Sequence, residues 1–518
     1  MYIGSLLEQS AERYPDHLAL VYKERRWTYA EWHARVRRFA QALADLGVRA
    51  GERVAFFVGT SEYSATTYFA TQLLGAVAVP VNYRLAAGEL TGILSDSGAC
   101  ALVYGEPMLD RVNRSRELLD SVPVFISCGG SARDVPQGHL HFETLAQETI
   151  DRHEFRVTPA EDQLAALVYT SGTTGHPKGV QHSQRNDLAI AMNCVMEYSL
   201  THADTALHIA PLYHVGGMQA FFIPHVMVGG TNVIIDRYSP LATLETIQRE
   251  HITTLFAVPT QIQDMLVHEN FKSFDTTSLR MITTGGAAIS AAAMERVQRE
   301  FCANIFNGYG MTEASLTLLL HPGDALAKLG SCGKPTLITA CRIVTNDPQR
   351  EVPVTESAVP GSIGELIVRG PQVTAGYWNK PVETARKLRT GWLYTGDLFS
   401  RDAQGFFYFH GRVDDLIVSG GENIYPREVE EALYRCPGVQ EAAVVGLPDP
   451  SWGSSVTAFI VRSNPALTAA DIERHCRGRD DLAAFKRPRR IVFVDALPQN
   501  PSGKVLKREL VARYAEER

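Results

Sequence analysis

The sequence predicts a multidomain α/β protein. A large N-terminal domain of parallel α/β sheets carries a barrel-like lobe, and a small mobile α+β C-terminal domain follows it. Three observations lead there. A chain of 518 residues exceeds what one hydrophobic core organises. Its first part alternates amphipathic helices with short apolar strands, the rhythm of βαβ units. A mixed α+β pattern then restarts beyond Gly411-Arg-Val-Asp-Asp415.

Taken in order, Glu31 to Leu46 reads as an amphipathic helix closed by Gly47. Arg53 to Val58 reads as a strand, Glu62 to Leu74 as a helix and Ala76 to Val81 as the next strand. The apolar run Leu164 to Val168 is another strand, and the pattern returns at Thr254 to Val258 and Arg280 to Thr283. Gly361 to Val368 is strand-like and belongs to an antiparallel or barrel-like lobe, and the aromatic strand Phe406 to Phe409 precedes the domain boundary. The predicted boundaries are 1–411 for the large domain, 412–416 for a hinge and 417–518 for the small domain. In the small domain Pro426 opens a helix, Val439 to Val445 and Val456 to Val461 are strands, and Asp471 to Cys476 is helical.

Composition excludes several classes. With 45% hydrophobic and 21% charged residues and a net charge of -7, the chain has no basic stripe for nucleic acid. The eight cysteines show no Cys-x-x-Cys pair and no zinc spacing, so reduced thiols in a cytoplasmic protein are expected. The N-terminus lacks the basic region of a signal peptide. Thr205 to Ile235 contains no Asp, Glu, Lys or Arg. Its prolines, glycines and three histidines predict buried strands and a pocket wall, not a membrane helix.

The segment Tyr169 to Val180 reads as a polyphosphate loop. Glycines let backbone N–H groups approach phosphate oxygens, hydroxyls add donors, and Lys178 adds a mobile charge. It is not the Walker pattern, because Pro177 and Gly179 flank the lysine. Asn307 to Ser315 is a glycine-flexed turn holding Glu313, the natural carboxylate for the Mg²⁺ that accompanies a nucleotide triphosphate. Asp397, after Gly396, can accept ribose hydroxyls, although alone a Gly-Asp pair marks only a turn. Arg412 can bracket the same ribose. Lys504 sits on the Pro/Gly-bounded loop Leu497 to Val505 of the small domain.

These ordered motifs resemble those of the AMP-forming adenylating superfamily: acyl-CoA synthetases, aryl-CoA ligases, luciferases and the adenylation domains of peptide synthetases. The resemblance covers nearly the whole chain. It implies that Thr170, Ser171, Gly172, Thr173, Thr174, Gly175 and Lys178 cradle the triphosphate of ATP. It implies that Gly286, Ala287, Asn307 and Tyr309 line the adenine site, with Gly310 and Thr312 beside the nucleotide. Glu313 would coordinate Mg²⁺, Asp397 and Arg412 would hold the ribose, Lys504 would be the adenylation lysine and Asp414 the hinge. Thr312 and Glu313 join Lys504 in the catalytic set.

Within that superfamily, the segment Ala210 to Met218 lacks the aspartate that anchors an amino acid in peptide-synthetase domains, and no carrier sequence follows Lys504. The resemblance therefore implies a free-standing acid–CoA ligase, with CoA as co-substrate. Gly420, Gly421, Trp452, Phe485 and Arg487 would form the CoA-binding face. His214, Val215, Gly216, Met218, Phe222, Gly285, Gly310 and Met311 would border the acyl pocket. Largely apolar, that set implies a hydrophobic carboxylic acid, medium-chain, aromatic or alicyclic. The paired glycines Gly216-Gly217 and Gly285-Gly286 are read as room for bulk. His214 either gates the pocket or is a satisfied core histidine. Delivery of the acyl group to a carrier protein stays open, as does a non-catalytic nucleotide-binding protein. A homodimer is entertained as the assembly.

Overall fold

A computed structural model describes residues 1–119, 124–148, 159–170, 177–286, 289, 291–347, 350–480, 482–499 and 505–515. The chain divides into two units. One comprises Met1–Leu329, Gly333–Ala340 and Val368–Leu393; the other comprises Gly330–Cys332, Cys341–Ile367 and Tyr394–Arg518.

The first unit is layered α/β. One sheet runs in the order Leu140–His141, Val124–Cys128, Ala99–Gly105, Arg53–Phe57, Val77–Pro80, Leu164–Thr170 and Lys178–Ser183. All its neighbours are parallel except the last pair, which forms an antiparallel hairpin. In the second sheet, Leu18–Tyr22, Thr231–Ile234, Thr205–His208, Thr254–Phe256, Met281–Gly285 and Ile305–Met311 are successive parallel neighbours. Antiparallel strands Arg25–Thr28 and Ser315–Leu320 flank that series.

Local sequence explains these elements. The helix Tyr29–Asp45 starts where Thr28 and Glu31 exchange side-chain and backbone hydrogen bonds, a capping box two residues before the expected start. Its apolar positions Trp32, Val36, Phe39 and Leu43 recur at helical spacing and are fully buried. Phe39 packs on Phe142 with ring centroids 4.1 Å apart, and Trp32 meets Phe69 edge-on at 5.4 Å. Glu62–Leu73 and Val77–Pro80 fall within two residues of expectation.

One expectation needs correction. Between the strands Thr205–His208 and Thr231–Ile234 the chain is helical: a π turn at Met218–Phe222 runs into an α-helix, Ile223–Val228. Pro224, read as a breaker, sits where the π turn passes into the α-helix. Gly229, at φ +80, closes the helix in the left-handed conformation. No described helix is long and apolar enough to cross a membrane.

The strand Trp392–Arg401, most of which belongs to the second unit, and Phe407–Arg412 are antiparallel partners. Their C-terminal continuation carries a hairpin, Ile417–Ser419 with Glu422–Ile424, and a three-stranded sheet of Val439–Asp449, Gly453–Arg462 and Arg490–Phe493. Helices Pro426–Tyr434 and Ala469–Arg477 bury Val429, Leu433 and Ile472 against Val444, Val456, Ala458 and Ile460 in one core.

Candidate active site

The loop predicted to cradle phosphate connects the two strands of a hairpin. Thr170 and Lys178 are register partners across it. Ser171 to Gly175 lie outside the described residues. The hairpin is buttressed on both sides. The Tyr169 hydroxyl donates to Asp96 Oδ2 at 2.6 Å, and Tyr169's ring fills the space a side chain at Gly179 would need. On the other side the segment Thr374 to Trp378 runs alongside the second strand, with Val180 bridged to Tyr377. Gln181 N–H donates to the Gly376 carbonyl at 2.9 Å and Trp378 N–H to the Gly179 carbonyl at 2.8 Å.

Asn307 to Ser315 differs from the glycine-flexed turn that was expected. Asn307, Gly308, Tyr309, Gly310 and Met311 continue the strand Ile305–Met311, and only 312–314 turn before the strand Ser315–Leu320. Gly310 is glycine because a side chain there would collide with the Ser315 carbonyl across the hairpin. The turn is pinned to the phosphate hairpin. His182 Nε2 hydrogen-bonds the Thr312 carbonyl at 2.9 Å, and Thr374 N–H donates to the Glu313 carbonyl at 2.8 Å. The Tyr377 hydroxyl donates to Glu313 Oε1 at 2.7 Å. Among the described residues, no group donates to the second Glu313 oxygen.

His182 is itself the middle of a buried chain. Its Nδ1 meets Asp187 Oδ1 at 2.7 Å, and Asp187 Oδ2 accepts from the Tyr68 hydroxyl at 3.0 Å. Burial disfavours a charged imidazole there, but the Asp187 carboxylate outweighs it and holds the His182 pKa above its ordinary value. A carboxylate on one side and a carbonyl on the other require both ring nitrogens to donate.

The expected acyl-pocket residues separate into two groups. Met218 and Phe222 are fully buried in the core that also contains Trp32 and Phe69. His214 is exposed and accepts the Gly216 N–H at 3.2 Å, so it is not a sealed core histidine. Surrounding protein atoms nevertheless lower its pKa by desolvation. Val215 is buried beside it, Met311 is partly covered, and Tyr213 nearby has its phenol pushed up to about 12 by burial.

The glycine pairs are not uniformly room for substrate, as had been expected. A side chain at Gly217 would collide with the Pro211 carbonyl oxygen, and one at Gly285 would begin 2.6 Å from that of Gly308. Backbone occupies both spaces. Gly216 faces the Phe256 ring at 3.2 Å, and of the four only Gly286 has no described residue against the place of its side chain. Ala287 lies outside the described residues.

The second unit holds the remaining groups. Asp397, with Gly396 before it, lies inside the strand Trp392–Arg401, and Arg412 is its register partner on the neighbouring strand. Asp414 occupies the short 3₁₀ turn Val413–Asp415, exposed and with no hydrogen bond or ion pair among the described residues. Gly420 and Gly421, at φ +62 and +85, form the two-residue turn of a hairpin, a backbone only glycine adopts without strain. Gly420 N–H donates to the Trp452 carbonyl at 2.8 Å, and Trp452 is 46% exposed. Arg489 stacks its guanidinium 4.1 Å from the Trp452 ring centroid and donates to Ser419 Oγ at 3.1 Å. Phe485 is exposed and Arg487 donates to the Leu482 carbonyl at 3.4 Å. Lys504 lies outside the described residues.

Tyr377, His182 and Phe256 were not anticipated. Nothing along the chain marks them, since each acts on a partner brought near only by the fold. Residues 7–378 match the family model described as AMP-binding enzyme, and residues 428–504 match the AMP-binding enzyme C-terminal domain. The chain belongs to the AMP-binding enzyme family. Relatives extend from end to end. A feruloyl-CoA synthase of Amycolatopsis is 36% identical over 513 residues, covering 99% of each chain. An indoleacetate–CoA ligase of Aromatoleum aromaticum is 34% identical over 521 residues, again covering 99% of each. The o-succinylbenzoate CoA synthetase of Bacillus subtilis, solved in complex with its acyl-adenylate intermediate, is 32% identical at a TM-score of 0.85. That match covers 98% of this chain and 97% of the solved one.

Proposed function

We propose that this protein is an ATP-dependent, AMP-forming carboxylic acid–CoA ligase that activates a hydrophobic acid as its adenylate and passes the acyl group to CoA. The observation that carries the reading is the end-to-end likeness to CoA ligases, with both family models matched in one chain. The partly exposed aromatic Phe256 opposite Gly216 supports an apolar acyl group.

In the first half-reaction the substrate carboxylate attacks the α-phosphorus of ATP and pyrophosphate leaves. Lys178, with the Thr170 to Gly175 loop, would hold the triphosphate, and Gly286, Ala287, Asn307, Tyr309 and Thr312 the adenine end. Asp397 and Arg412 would take the ribose, and Lys504 would face the charge developing at the α-phosphate. Glu313 fits a Mg²⁺ ligand, since Tyr377 steadies one carboxylate oxygen while the other accepts from no described group. When bound, the ion supplies neutralising charge to the phosphate oxygens. In the second half-reaction the CoA thiol attacks the acyl carbonyl and AMP leaves.

The proposal includes the 1–411 and 417–518 domain division and a turn of the small domain about Asp414 between the halves. That turn would withdraw Lys504 and present Gly420, Gly421, Trp452, Phe485 and Arg487. A cytoplasmic setting is also proposed. Eight free thiols spread through both units, several of them buried, support it.

The deciding experiment is a panel of aromatic, alicyclic and medium-chain acids with ATP, scored for pyrophosphate with and without CoA. Acid-dependent pyrophosphate together with an acyl-CoA product is expected. Pyrophosphate without thioester would transfer the acyl group to a carrier protein, and no pyrophosphate from any acid would end the ligase reading.

A further inference from the structure

Two charged side chains of the nucleotide site stand apart in the fold, Glu313 in the 312–314 turn and Lys178 on a strand, yet both meet Tyr377. The Tyr377 hydroxyl donates to Glu313 Oε1 at 2.7 Å, and the Lys178 ammonium stands over the Tyr377 ring, 5.6 Å from its centroid. A phenol hydroxyl bonded to a carboxylate is a charge-assisted contact, and an ammonium on an aromatic face is attracted by the ring quadrupole.

The backbones at this place are fixed by other means. His182 and the Thr374 N–H hold the Thr312-Glu313 turn through its carbonyls. Tyr377 N–H donates to Thr384 Oγ1 at 2.9 Å, its carbonyl accepts from Lys380 N–H at 3.2 Å, and the residue is bridged to Val180. The hydroxyl and ring are therefore not needed to close the turn or to seat the segment. What they set is the direction of two side chains.

We propose that Tyr377 is a positioning residue of the ATP site: its hydroxyl aims the Glu313 carboxylate while its ring face holds the Lys178 ammonium. One side chain thus fixes the spacing between the group that meets the metal and the group that meets phosphate. The inference rests on the ligase reading above, in which Glu313 takes the Mg²⁺ of Mg-ATP. A carboxylate left to rotate binds the ion less well, because the rotamer entropy lost on binding is no longer lost in advance. A lysine without its aromatic platform likewise samples directions away from the phosphates.

The test is titration calorimetry of ATP onto the full chain, with Mg²⁺ and in excess chelator, for wild type, Tyr377→Phe and Tyr377→Leu. Thermal melting checks that each variant is folded. Tyr377→Phe keeps the ring, so Mg-ATP binding should weaken about tenfold with metal-free ATP binding unchanged. Tyr377→Leu should also weaken metal-free ATP, by roughly fivefold. In a Glu313→Ala background, Tyr377→Phe should have no further effect. The proposal is overturned if Tyr377→Phe binds Mg-ATP like wild type, or weakens both forms of ATP equally. Pyrophosphate release by wild type is scored separately: Mg-ATP binding with the expected Tyr377 dependence, but no acid-dependent pyrophosphate, would sink the ligase reading and leave the positioning role standing.

Discussion

Asp397 and Arg412 face each other across adjacent antiparallel strands, with the guanidinium Nε 3.5 Å from a carboxylate oxygen. The pairing presets the orientation of the carboxylate as an acceptor. If that carboxylate accepts ribose hydroxyls, Asp397→Ala should lower kcat/KM for ATP about 10–100-fold. With 2′-deoxy-ATP the same substitution should cost much less, since one partner is already gone. Equal losses with both nucleotides would remove Asp397 from the ribose.

Lys504→Ala should slow acyl-adenylate formation about 10²–10³-fold while a supplied acyl-adenylate is still converted to thioester at near the normal rate. Rapid-quench assays of the separate half-reactions read this directly. Parallel loss in both would contradict a lysine that serves only the first.

Gly217→Ala and Gly285→Ala should behave alike, and differently from Gly216→Ala. The first two drive a methyl into a carbonyl oxygen and should cost about 1–3 kcal/mol of stability, read by denaturant melts. At Gly216 the new methyl meets the edge of the Phe256 ring, which can shift. Melting should then change little, while the ratio of kcat/KM for large and small acids should fall.

Stability should decline in acid from about pH 6.5, the ordinary histidine value, downwards. Burial depresses His208 to about 3, helped by the neighbouring His225, and His225 to about 4, in each case outweighing a hydrogen bond that by itself favours the charged ring. The unfolded chain takes up these protons first, so each histidine contributes full stability above pH 6.5 and loses about 1.4 kcal/mol per pH unit below it. His225→Asn should flatten that slope in urea melts between pH 6.5 and 4.5. An unchanged slope would mean that other groups set it.

Gly420→Ala should separate the half-reactions in the opposite sense to Lys504→Ala. A methyl there would lie 2.8 Å from the Trp452 ring on a left-handed backbone, so the hairpin must shift. Thioester formation should slow severalfold with adenylation preserved. Loss of adenylation instead would detach this hairpin from the CoA step.

The capped helix at Thr28, the parallel strands and the small-domain elements were readable along the chain because each depends on neighbours in sequence. Glu313, Asp397 and Arg412 were readable as chemistry, although strand rather than turn geometry presents Asp397 and Arg412, and Glu313 sits in a three-residue turn between two strands. The helix after Met218 was missed because Gly229 ends it rather than interrupting it, and because Pro224 is accommodated where a π turn passes into an α-helix. Gly217 and Gly285 were misread because a missing side chain does not say whether ligand or backbone fills the gap. Tyr377 could not have been found at all: its partner Glu313 lies 64 residues away and only the sheet brings them together.

The Thr170–Lys178 register has a consequence for anyone exchanging the glycine-rich tip with that of a relative. Side chains alternate between the faces of a strand, so adding or deleting one residue in the tip, if absorbed by sliding the strand, would turn the ammonium to the opposite face. Grafts that preserve the residue count should keep catalytic polarity; those that change it by one should yield a folded protein with its cation facing the wrong way.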